Sequence, residues 1–229
     1  MFYKTSEFQE WRSIFWKATC YETGQICYKS KEASKDQVLL IRRGTLLVQV
    51  LNQKRKKVNT EILVEGELLN IEALLDDSSD LKILPFIQYQ VMALTPVTIY
   101  EVEKEFLLSH LYVEPRKYHH LFEGSIMQLL YLSFSNFLSL EPPLLKVAWA
   151  LFRIISKVGE VADHDAELIF IPSFVTQMFI AQLSNSGIAR SNEAIKELSE
   201  MGIVVNWKPK CRLIHLGQLT QYLKQEISG

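Results

Sequence analysis

The chain has 229 residues, 48% of them hydrophobic and 22% charged, with a formal net charge of −1. That length holds one large domain or two small ones, and that balance excludes a disordered chain and a uniformly basic nucleic-acid coat. Three cysteines (Cys20, Cys27, Cys211) build no disulfide framework, no apolar run reaches the roughly 18 residues of a membrane span, and the opening MFYKTSEFQEWRSIFW has no signal-peptide core. The expectation is a soluble, cytoplasmic protein without a membrane partner.

Residues 20–104 read as short strands separated by turns. DQVLLIRRGTLLVQVLNQ gives two strands about Gly44, NQKRKK a charged hairpin tip, VNTEILVEGELL a strand closing on Gly66, and YQVMALTPVTIYEVEK two more runs about Thr95-Pro96. Such spacing predicts a small sandwich or barrel. YHHLFEGSIMQLLYLSFSNFLSL then predicts a helix over 118–140, whose apolar residues surround it instead of lining one stripe. A soluble helix of that kind must be covered on most sides, and a small β-domain covers only one. The simplest further cover is the same helix of a second copy, which makes Phe122, Ile126, Leu129, Leu130 and Phe137 candidate dimerisation residues. Burial wholly within one copy is the alternative.

Glu141-Pro142-Pro143 ends that helix and starts another, so 138–143 is the expected domain junction. PPLLKVAWALFRIISKVGE is amphipathic, with Leu144, Val147, Leu151 and Ile155 near one face. AELIFIP reads as a strand stopped by Pro172, and Ser173 as the cap of a helix over FVTQMFIAQL. A turn at SNSG, a second helix ending at Met201-Gly202, and a hairpin tipped by Lys208-Pro209-Lys210 complete the chain. Gly202 suits a left-handed C-terminal cap, and Asn185 is the non-glycine residue type that best tolerates a positive φ. Strand, helix, turn, helix and hairpin in that order are the parts of a winged helix-turn-helix.

Over about residues 20–220 this order resembles the Crp/Fnr superfamily of bacterial transcription regulators. The likeness is carried by GTLLVQV and VEGELLNIEALL, and by IFIPSFVTQMFIAQLSNSGIARSNEAIKELSEMGIVVNWKPKCRLIHL. In the second stretch Pro172, Ser173, Ala181, Asn185, Leu198, Gly202, Ile203 and Val204 fill the family's places; SGIAR is also similar to the PrfA-like branch. The resemblance implies an α+β fold: an N-terminal double-stranded β-helix (a cupin-like β-roll) as sensor over 1–117, a dimerisation helix over 118–140, and a winged helix-turn-helix DNA-binding domain over 141–229. It also implies a homodimer on a palindromic duplex operator, with RNA polymerase as a further partner.

Relatives carry arginine near the start of the recognition helix and again about five residues on. Those places hold Ile188 and Glu193 here. Arginine binds guanine O6 and N7 together, whereas isoleucine touches only thymine methyls and a carboxylate accepts from cytosine N4. Arg190 is the remaining base reader; Ser184, Asn185, Ser186 and Asn192 are expected on phosphates, with Lys196 further along. Lys208, Lys210 and Arg212 supply the wing, with Trp207 packed under it. This set predicts a relaxed or A·T-leaning site, or one read partly by shape. Loss of operator recognition, leaving a protein-interaction module on the same fold, is the alternative.

In nucleotide-binding members a Gly-Glu-Leu turn and a following arginine hold the phosphate. Gly66, Glu67 and Leu68, with Leu69, form such a turn, but no arginine lies between Arg55 and Arg116, and the loop DDSSDLKILPFIQY is acidic then apolar. An unpaired buried phosphate is costly, so no cyclic nucleotide is expected and the turn serves the fold. Cys20 and Cys27 fall short of the four ligands of an iron–sulfur cluster. No cofactor is predicted, and the effector is left as an unidentified small molecule. GxSxG, HExxH, P-loop and GxGxxG motifs are all absent; adjacent Asp163, His164 and Asp165 diverge, and Glu101 and Glu103 read as an exposed strand edge. No enzyme is expected.

Overall fold

The computed structural model describes residues 17–51, 56–74, 88–113, 115–163, 165–209 and 211–228. The chain divides into two compact units, Met1–Gln128 and Leu129–Gly229, and the division falls within the long helix.

The first unit is built from two four-stranded antiparallel sheets. Its strands are β1 (Lys17–Tyr21), β2 (Ile26–Lys29), β3 (Gln37–Arg43), β4 (Thr45–Leu51), β5 (Lys57–Val64), β6 (Leu68–Leu69), β7 (Tyr89–Ala93) and β8 (Val97–Glu103). One sheet runs β1-β8-β3-β6 and the other β2-β7-β4-β5. The two strand pairs that look like hairpins in sequence, β3–β4 and β7–β8, therefore cross between sheets. The corner explains Gly44. Its φ is +97°, and a Cβ there would collide with the Pro96 carbonyl and stand 2.8 Å from Val97 Cγ2. Thr45 N donates to Thr95 Oγ1 at 2.9 Å, so the two crossings pin each other.

Strand β3 reads VLLI without polar alternation because both of its faces are covered. Ile41 faces Leu46, Leu63, Val91 and Ala93 of the opposite sheet. Val38 and Leu40 face the other way, against Leu107 and Leu111. Those two belong to α1 (Lys104–Val113), where a spacing of four places them on one helix face. Glu101 and Glu103 lie on β8, between β1 and β3, so the expected exposed edge is a central strand; Glu101 accepts from Thr19 Oγ1 at 2.9 Å and pairs with Lys17 at 3.3 Å. Asn70, at φ +56°, is locked by Tyr28 and by the carbonyls of Ser34 and Gln37; Tyr28 and Tyr89 both donate to Glu72. Burial pushes both phenols well above their ordinary range.

Helix α2 runs Pro115–Phe137, three residues earlier at its start than the expected 118, because Pro115 occupies a helix's first turn without losing a needed amide. A 3-10 turn, Leu138–Leu140, ends it. In the second unit α3 (Pro143–Val158) starts on Pro143 after an extended Pro142. It buries Leu145, Val147, Ala148, Leu151, Ile154 and Ile155; of the four residues expected on its apolar face, Val147, Leu151 and Ile155 are buried and Leu144 is half-buried. Next come β9 (Glu160–Ala162), β10 (Asp165–Phe170), α4 (Gln177–Leu183), α5 (Ile188–Glu200), β11 (Val204–Lys208), β12 (Cys211–His215) and α6 (Leu216–Ser228). The third sheet runs β11-β12-β10-β9, and α3 packs against α4, α5 and α6. No described helix is long and apolar enough to cross a membrane.

Candidate nucleic-acid interface

Helix α4 is capped by Thr176, whose side chain accepts from Phe179 N at 3.2 Å. The cap expected at Ser173 is thus three residues further on. The end of α4 is a Schellman closure: Ser186 N donates to Ala181 O at 2.8 Å and Asn185 N to Gln182 O at 3.1 Å, with Asn185 left-handed at φ +48°. Gly202, at φ +77°, closes α5 in the same way, with Ile203 N donating to Leu198 O at 2.9 Å. Two short helices are thereby stopped cleanly, one by asparagine and one by glycine. Ala181, in the last turn of α4, is buried, and the two helices pack against each other.

Helix α5 buries Ser191, Ala194, Ile195 and Leu198, at spacings of three and four. With about 100° between successive residues, the opposite face centres on Ala189, Glu193, Lys196 and Glu200. Ile188 and Asn192 flank this line on one side, Arg190 and Glu197 on the other, and all are exposed. Arg190 therefore stands roughly a quarter-turn from the outward centre on one side, and Ile188 at least as far round on the other. Lys196 is engaged with Glu200 at 3.8 Å. The helix starts at Gly187, in extended conformation (φ −68°, ψ 149°), and no side chain caps it. The first-turn amides of Ile188, Ala189 and Arg190 thus keep the partial positive charge of a helix start, with no acidic residue in that turn.

Two residues expected to face DNA are turned inward. Ser184 is buried and its hydroxyl donates to Ala181 O at 3.3 Å, since it belongs to the Schellman turn. Arg212 is also buried. Its guanidinium lies 5.4 Å from the centre of the Trp207 ring and donates from Nη1 to Ser173 O at 3.1 Å. It ties the hairpin to the segment before α4 and is not one of the wing's exposed cations. Asn185 is exposed, Ser186 is half-buried and donates to Ser184 O, and Lys208 is exposed at the end of β11. Lys210 lies outside the described residues. Sequence reasoning missed Gly187 and Ala189; the signal was a glycine, with no side chain to cap with, directly before the helix although Ser184, Asn185 and Ser186 precede it.

On the long helix, Leu129 (63% exposed), Leu130 (55%), Ile126 (51%) and Phe137 (66%) all carry uncovered apolar surface. The side chain of Phe122 lies outside the described residues. In the first unit Gly66 takes φ +97° between β5 and β6, and Glu67 accepts from Val64 N at 2.9 Å through its carboxylate. Leu68 packs beside Val38 and Leu40, and Leu69 is buried between the sheets. All four are committed to the β-structure; residues 75–87 beyond them lie outside the described residues, as does His164. Cys20 is on β1 and Cys27 on β2, strands of different sheets.

These parts define a two-unit chain, a β-sandwich unit and a unit with two helices joined by a turn and followed by a hairpin. No protein-family model and no curated protein matches the sequence. Solved structures do. A cyclic nucleotide-binding domain containing protein from Listeria monocytogenes superposes with a TM-score of 0.70 at 16% identity, covering 94% of each chain. The c-di-GMP responsive global regulator CLP from Xanthomonas campestris gives 0.68 at 11%, covering 92% of this chain and 99% of that one. A CRP/FNR-family transcriptional regulator from Thermus thermophilus gives 0.64 at 13%, covering 91% and 98%. The chain has the fold of the CRP/FNR regulators.

Proposed function

We propose that the protein is a homodimeric, sequence-specific DNA-binding transcription regulator of the cytoplasm. The two-sheet unit is read as a β-roll that senses a state or a small effector other than a cyclic nucleotide, over residues 1–117. The helix over 118–140 dimerises, and residues 141–229 form a winged helix-turn-helix in which α5 enters the major groove and the β11–β12 hairpin is the wing. One observation carries this reading: α5 is a 13-residue helix with an uncapped, acid-free N-terminus after a tight turn, followed by a hairpin bearing exposed Lys208. A helix start of that kind attracts phosphate through its amides and dipole. The exposed Ile126, Leu129, Leu130 and Phe137 support the dimer, because a monomer leaves a large apolar strip in water. Two copies would place their recognition helices about one DNA turn apart on a palindrome, at a promoter where RNA polymerase is a further partner.

A second reading, a protein-interaction module, is favoured by the carboxylates of Glu193, Glu197 and Glu200 on the exposed side of α5, set against two cations, Arg190 and Lys196. A mobility-shift titration with duplexes from the protein's own promoter separates the two. The regulator binds its operator in the presence of excess random DNA, and Lys208→Ala weakens binding to all sequences while lowering the salt slope by about one per copy. An absence of any preferred sequence at moderate salt leaves the module.

A further inference from the structure

Resting on the sensor reading of the two-sheet unit above, we infer that its effector site is built on Tyr28, Glu72 and Tyr89 and takes an organic ammonium ion with an apolar body. Tyr28 comes from β2 and Tyr89 from β7, neighbouring strands of one sheet. Glu72 comes from a 3-10 turn, Ile71–Leu74, that follows β6 of the other sheet. The cluster is short of protons. Tyr28 has one hydroxyl proton and two acceptors in reach, Asn70 Oδ1 at 2.8 Å and Glu72 Oε1 at 3.1 Å. Asn70 has none to give, because its amide hydrogens go to Ser34 O at 2.7 Å and Gln37 O at 2.6 Å. Tyr89 supplies the second proton, to Glu72 Oε1. Two protons thus serve an amide oxygen and a carboxylate, and a carboxylate alone accepts about four hydrogen bonds. Among the described residues Glu72 Oε2 accepts none, and no lysine, arginine or histidine pairs with this carboxylate.

What the cluster lacks is what a ligand must bring: N–H donors and a positive charge. Burial pushes both phenols up, so they stay neutral donors and add no charge of their own. A neutral alcohol brings a donor without the charge, and an anion is repelled by Glu72. A primary ammonium brings up to three donors on a compact cation. The Tyr28 and Tyr89 rings, 5.4 Å apart between centroids and tilted, add cation–π attraction beside the carboxylate. Val48, Leu69 and Val91 pack with the two tyrosines, so the rest of the ligand meets apolar surface. One carboxylate is too few ligands for a bare metal ion, and the described residues hold no group of three metal-ligating side chains.

The test is calorimetric titration of the full chain at neutral pH with 2-phenylethylamine. 3-Phenylpropionate and 2-phenylethanol serve as probes of like shape, one negative and one uncharged. The amine binds, and each of the other two binds about tenfold more weakly or not at all. Glu72→Gln keeps the shape and removes the charge; it lowers amine affinity about tenfold and leaves the alcohol unchanged. Tyr89→Phe keeps the ring and takes one proton away from the carboxylate, so amine affinity stays equal or rises. That variant carries the test should Glu72→Gln fail to fold. Equal amine affinity in wild type and Glu72→Gln, tighter binding of 3-phenylpropionate, loss of the amine in a folded Tyr89→Phe, or no amine binding at millimolar concentration overturns the inference. The mobility-shift titration fails separately. Operator binding without amine binding removes this site and leaves the regulator; amine binding without any operator leaves the site and removes the regulator.

Discussion

Gly187→Asp is expected to raise stability and lower DNA affinity at the same time. Residue 187 already has the extended backbone of a helix N-cap, and its φ of −68° suits any L-residue. A Cβ at this position meets no atom within 4 Å. The aspartate carboxylate would accept from the first-turn amides of α5, and the helix dipole adds to that bond. A carboxylate in place of glycine at an N-cap contributes from a few tenths to about 1 kcal/mol. The same amides are those proposed to bind phosphate. Capping removes one charge-assisted contact per copy, each worth about 1.5–3 kcal/mol, and sets an anion against the backbone. Over two copies, with partial replacement by water, the loss is about 2–4 kcal/mol, or roughly 30- to 1000-fold in Kd. Urea denaturation and a fluorescence-anisotropy titration on one preparation measure both. Opposite signs exclude misfolding as the cause. An unchanged Kd in the capped variant refutes the placement of this helix start on DNA, and a loss of stability refutes the N-cap geometry.

Two further predictions concern the scaffold. Ser135 accepts from Trp149 Nε1 and from buried Arg153 Nη1, both at 2.9 Å, and donates to Tyr131 O at 2.8 Å, within rings formed by Tyr131, Phe134, Trp149 and Phe152. Ser135→Ala strips two donors of this acceptor and costs about 2–4 kcal/mol, whereas Ser135→Thr recovers most of it; thermal unfolding followed by circular dichroism checks both, and a loss below about 0.5 kcal/mol contradicts the hub. Cys27 has its thiol pushed up by burial to about 11. Its folded value lies above its unfolded one, so the stability it contributes is intact below the unfolded value and is lost as pH rises toward 11. Iodoacetamide at pH 8 should therefore modify exposed Cys20 well before Cys27, as peptide mass spectrometry would show; equal rates contradict that burial.

Much of this fold was legible where a local residue forces a local shape. Gly202 and Asn185 announced two left-handed helix closures, and Pro143 announced a helix start. The parts that escaped depend on distant contacts. The run around Gly44 looks like a hairpin, yet its two strands join different sheets because Gly44 meets Pro96, fifty-two residues on. Ser184 and Arg212 have the composition of phosphate ligands. Their burial is set by partners, Ala181 O for one and Trp207 with Ser173 O for the other, that no local pattern reveals. In α5 the spacing of buried residues was readable, but the displacement of Arg190 from the outward line required knowing which face is buried. The apolar long helix was legible as a helix in need of cover; its exposed Leu129, Leu130 and Phe137 now show where cover is missing.

Sedimentation velocity of the full chain, free and with its selected operator, bears most directly on two paired readers joined through the long helix. The predicted result is a species of twice the chain mass at micromolar concentration, two chains per duplex, and dissociation to single chains in Leu130→Glu. A wild-type protein that sediments as one chain, or that binds the duplex one to one, contradicts it.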